Sequence, residues 1–200
     1  MGYQLSGSQL IFNSPAGQTS RLTGWQRRFG HTRVLGAYVL FTALISFGTL
    51  AVFAALIQQP LVFPSLGATA FVFYFSSNSV QAAPRNVFCG QLIGVVAGVF
   101  ALFVFGLLDA GPDLVGVSWP RAGALTLALC LTLAAMVWLH VPHAPAGATT
   151  LIVAAGLITA PSQLAILLLA VLVMIGQAIL INRALGVPFP LWGPRGDASA

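Results

Sequence analysis

Two hundred residues of which 58% are hydrophobic and 6% charged have too little polar surface to face water, so the composition excludes an ordinary soluble domain and makes the bilayer the natural solvent. The formal net charge of +5 comes from arginines against Asp109, Asp113 and Asp197, with no lysine or glutamate and no charge deep inside an apolar run. The arginines form no basic stripe or stacking platform, which excludes nucleic acid as a partner, and half of them precede the first apolar span as in a cytoplasmic membrane-protein tail.

Residues 1–33 read as that tail: polar, free of acids, with Arg21, Arg27, Arg28 and Arg33 before the first span and no signal-peptide pattern. Residues 34–108 form a first membrane repeat. Val34 to Ile57 is long enough to cross about 30 Å of hydrocarbon. Gln58-Gln59-Pro60 ends it, and prolines 60 and 64 hold the next few residues extended. A short helix then runs from Ser65 to about Val80, about 24 Å and short for a full crossing. Val87 to Leu108 is a second full span, with Gly90, Gly94 and Gly98 in a flat stripe that lets another helix approach closely.

Residues 109–120 form the loop between the halves, and residues 121–183 a second repeat. Arg121 to Leu139 is its first span, flanked by Trp119 and Trp138 where amphipathic rings favour the interface. Gly147 to Thr159 is its short helix and Gln163 to Ile181 its last span, before a C-terminal tail over 184–200. The fold class is thus all-α and integral to the membrane: a two-fold internal repeat, each half long helix, broken short helix, long helix, giving four full spans and two short membrane segments.

The repeat rests on Gly67-Ala68-Thr69, which returns as Gly147-Ala148-Thr149, and on Ala83-Pro84, which returns as Ala160-Pro161. Such repeats place ligands at the N-termini of broken helices, where the first N–H groups lack partners and carry the positive end of the helix dipole. The candidate binding residues are therefore Ser65, Gly67, Ala68, Thr69, His143, Gly147, Ala148 and Thr149, with Arg85, Asn86 and Gln91 framing an entry. The competing reading is that Gly-Ala-Thr only lets helices pack. His143 sits between the prolines of His140-Val-Pro-His-Ala-Pro145 and has two readings, a proton carrier beside a weak-acid anion or a ring bonded to freed backbone carbonyls. Four crossings with parallel halves and six with inverted halves both fit; both leave equal numbers of arginines inside, with Arg121 or Arg85 as the exception, and we favour six.

On Pro64-Ser65-Leu66-Gly67-Ala68-Thr69, Pro84-Arg85-Asn86 followed by Gly90, His143-Ala144-Pro145-Ala146-Gly147-Ala148-Thr149 and Asn182-Arg183, the chain resembles the HPP family of integral membrane proteins, named for a His-Pro-Pro motif. The resemblance spans roughly residues 35–183. It departs at Ala144, which replaces the central proline, at Ala83, where glutamine is usual, and at Gln91, where histidine is common. The resemblance implies nitrite as the substrate class.

The expected function is a channel or secondary transporter for a small monovalent anion, nitrite first, since no carboxylate lies within a span as a cation carrier would require. The alternative is a non-transporting scaffold or assembly subunit that binds partner helices through the glycine face. No catalytic set is visible, so an enzyme is not expected, nor is a cofactor or metal; His140 and His143 lack a third ligand. The expected partners are a small inorganic anion, membrane lipid and a second copy of the chain. The expected location is the bacterial inner membrane with both termini cytoplasmic.

Overall fold

The computed structural model describes residues 21–59, 61–112 and 116–194. Expectations for residues 1–20, Pro60, Asp113 and Arg195 lie outside the described residues. Seven α-helices and no strand occur among those described: α1 (Arg21–Phe29), α2 (His31–Ile57), α3 (Pro64–Phe75), α4 (Pro84–Val104), α5 (Trp119–Trp138), α6 (Ala146–Ala154) and α7 (Pro161–Ala184). Four of them, α2, α4, α5 and α7, are long and apolar enough to cross a membrane.

Proline sets several helix starts. It is a favoured first helical residue, because its missing N–H has no intrahelical partner there anyway. So α3, α4 and α7 begin at Pro64, Pro84 and Pro161, and α5 has Pro120 at its second position, each slightly earlier than the apolar pattern suggests. The short helices also stop early. α3 ends at Phe75, giving 12 residues and about 18 Å. α6 covers Ala146–Ala154 because Gly156, at φ 79°, turns the chain while Leu157 N–H donates to the Ile152 carbonyl at 3.2 Å. Helix α1 falls where the sequence suggested only a tail. Its Leu22, Trp25 and Phe29, spaced for one helix face, line an outer groove of about 580 Å³ between α1, α2 and α7.

Packing follows an interleaved scheme. α4 lies against α5, α6 and α7, while α7 also touches α2 and α3, so each half's last long helix packs into the other half. The glycine stripe makes the α4–α6 approach possible. A Cβ added at Gly94 would lie 2.9 Å from the Ala146 carbonyl oxygen, and one at Gly98 would lie 2.7 Å from Val153 Cβ. The glycine face is therefore packed by this chain's own α6, as a stripe for close helix approach requires.

Polar contacts gather at two ends of the bundle. At one end Arg85 N–H donates to the Trp192 carbonyl at 2.9 Å, the Arg85 guanidinium reaches the His140 carbonyl at 3.3 Å, and Tyr38 donates to Asn182 Oδ1 at 2.6 Å. At the other, Arg121 joins the end of α6 to the loop after α4, donating to the Ala154 and Gly111 carbonyls at 3.2 and 2.6 Å. From α2 to α7 the helices accordingly alternate in direction.

Candidate functional site

Between these ends, α3, α4, α6 and the segment leading into α6 bring four polar side chains together, all without solvent exposure: Thr69, Gln91, His143 and Thr149. Local sequence places two of them. Thr69 is one turn after Ser65 and points to the same side, its hydroxyl 2.9 Å from the Ser65 carbonyl. Gln91 follows Gly90, where a Cβ would come within 2.9 Å of His143 Cβ, so the missing side chain lets the His143 segment close on α4.

The side chains form a continuous run. Thr149 donates to Gln91 Oε1, and Gln91 Nε2 donates to Thr69 Oγ1 at 3.3 Å. One amide thus bridges the threonines of the two Gly-Ala-Thr sequences. Thr69 Oγ1 also lies 3.1 Å from His143 Nε2, and His143 Nδ1 lies 3.0 Å from the Gln81 carbonyl oxygen. A carbonyl only accepts, so Nδ1 carries a hydrogen. Thr69 has a single hydroxyl proton, which serves either the Ser65 carbonyl or a neutral Nε2. Protonating His143 therefore goes with turning the Thr69 hydroxyl toward Ser65, leaving its oxygen to accept from Nε2–H.

The other expected residues divide. Ser65 is fully buried, and its Oγ has no hydrogen-bond partner. Gly67 and Ala68 are exposed, with nothing within 4 Å of a Cβ built on Gly67, so they face away from the run. Gly147 and Ala148 are half-buried, and their N–H groups donate to the Ala144 and Pro145 carbonyls at 3.0 and 3.1 Å. Since the first turn of α6 satisfies its own donors, a site here is made of side chains rather than bare helix N–H groups. Gln91, expected to frame an entry, is fully buried between the two threonines. Asn86 is buried too, donating to the Val80 carbonyl at 2.8 Å, while Arg85 is half-buried beside His140. His140 itself is exposed and occupies a left-handed turn position at φ 53°.

Sequence reasoning missed two residues around the site. Gln81, in the turn before α4, covers His143, and its Oε1 accepts from Ala144 N–H at 3.0 Å. Arg121 is almost fully buried and holds the last turn of α6, where a cation opposes the negative end of the helix dipole. A basic residue at the start of an apolar span was the available signal, and it says nothing of burial. Among the described residues no three His, Cys, Asp or Glu side chains come together.

Four apolar helices around a buried polar run define a helical integral membrane protein. The family model for the HPP transmembrane region matches residues 31–190, and the chain belongs to that family. No curated protein and no solved structure matches it.

Proposed function

We propose that this chain is a channel or secondary transporter for a small monovalent anion, nitrite first, whose path crosses the Thr69–Gln91–Thr149 bridge beside His143. The observation that supports it is the bridge itself: hydroxyl and amide groups from three helices with the imidazole of the segment before α6, and no carboxylate in any span to repel an anion or demand a cation.

The packing supports a two-fold reading of the halves. Its contacts occur in matched pairs: α4 with α5 and α6 answers α7 with α2 and α3, and α2 with α3 answers α5 with α6. It also favours six crossings in inverted halves over four. In a four-crossing arrangement the start of α4 and the end of α7 face opposite sides, yet Arg85 and Trp192 are bonded. With the basic N-terminal segment inside, both termini are cytoplasmic, and an inner membrane suits the positive-inside pattern.

Nitrite uptake into proteoliposomes tests the reading. Saturable uptake in the native protein, lost in Thr69→Val and Thr149→Val variants that stay folded, is the expected result. Folded native protein that passes no small anion would overturn it.

A further inference from the structure

The donors beside His143 are already occupied by two oxygens, and both belong to Gln81. Its carbonyl oxygen takes the imidazole Nδ1–H and its side-chain Oε1 takes the Ala144 N–H, each at 3.0 Å. Two donors on adjacent residues, each holding one oxygen, are the kind of groups by which protein sites bind a carboxylate or another planar two-oxygen anion.

The second donor depends on Ala144, since a proline there, as in the name motif, has no N–H to give. The donor pair also runs from inside to outside: His143 is fully buried, Ala144 is exposed and Gln81 is half-buried, so the Gln81 amide can leave toward the surface. The Arg85 guanidinium stands nearby on the His140 carbonyl. In the turn that leads to Gln81, Ser77 Oγ and Ser79 Oγ are buried without hydrogen-bond partners.

We infer that His143 Nδ1–H and Ala144 N–H form a receptor for a planar two-oxygen anion such as nitrite or formate, and that Gln81 is its internal stand-in, displaced when the anion enters. The inference rests on the anion-transport reading for its setting, but binding tests it separately. The Gln81 side chain competes for the Ala144 N–H, so removing it raises apparent affinity, as removal of any occupied competing state does.

The experiment combines two readouts on reconstituted protein. In ¹⁵N-histidine-labelled protein, sodium nitrite and sodium formate are expected to shift the His143 Nδ1 resonance, and sodium chloride at matched ionic strength is not. In nitrite uptake, Gln81→Ala, which frees the Ala144 N–H but keeps the backbone carbonyl on His143, is expected to lower the half-saturating concentration about fivefold, the net worth of one neutral hydrogen bond. Gln81→Glu, which tethers a carboxylate in the receptor, is expected to abolish the nitrite response. Ala144→Pro is expected to weaken nitrite about tenfold while leaving chloride unaffected. A His143 resonance indifferent to nitrite in the native protein, with Gln81→Ala and Gln81→Glu behaving like it, would overturn the receptor even where nitrite uptake persists. A nitrite-dependent resonance without any uptake would sustain the receptor and sink the transport reading.

Discussion

At the scale of single residues, the account turns on hydrogen-bonding capacity that cannot be met twice. Gln91 uses its oxygen on Thr149 and its nitrogen on Thr69, so either threonine, once replaced by valine, leaves a buried amide group unpaired. The expected cost is about 1–3 kcal/mol of stability. Thermal unfolding in detergent checks it: Thr149→Val should melt earlier, while the exposed Thr126→Val should not. The threonines and His143 were legible in the sequence because each stands in a repeated or proline-framed motif. Gln81 was not, since nothing in an isolated glutamine between short apolar residues says that the chain folds it back over His143. The burial of Arg121 was not legible either: burial of a charge is decided by distant partners, here carbonyls of α6 and the inter-repeat loop.

At the scale of helices, glycine spacing and proline placement did most of the organising. Gly90, Gly94 and Gly98 read as a packing stripe, and they are one, although the helix they accept comes from the same chain. At Gly94 an added methyl meets a backbone oxygen, which cannot rotate away, so Gly94→Ala is expected to destabilise by about 1–3 kcal/mol. The same change at Gly48, where a Cβ meets nothing within 4 Å, should be close to neutral. Comparing the two variants by chemical unfolding separates helix contact from helix propensity. Helix ends were less legible than helix existence. The apolar pattern continues past Gly156, whose left-handed turn ends α6, and begins after prolines that the helices include.

At the scale of the whole molecule, alternating helix direction places Arg85, His140 and Trp192 at one end and Gly111, Arg121 and Ala154 at the other. Hydropathy could not choose between four and six crossings, because the short helices fall below spanning length on their own. The contacts between chain ends favour six. Single cysteines at the exposed Asn78 and Trp192 in a background lacking Cys89 and Cys130 are therefore expected to react with an impermeant thiol reagent from the same side, and one at Gly111 from the opposite side. Labelling of the Asn78 and Trp192 positions from opposite sides would point instead to the four-crossing arrangement.

The claim at the centre is that both halves meet at one amide to pass an anion. Its most direct measurement is nitrite flux through Gln91→Leu, compared with the native protein in the same vesicles and normalised to folded protein. The account predicts flux reduced to the vesicle background, since the bridge between Thr69 and Thr149 is gone. Native-level nitrite flux through folded Gln91→Leu would contradict it.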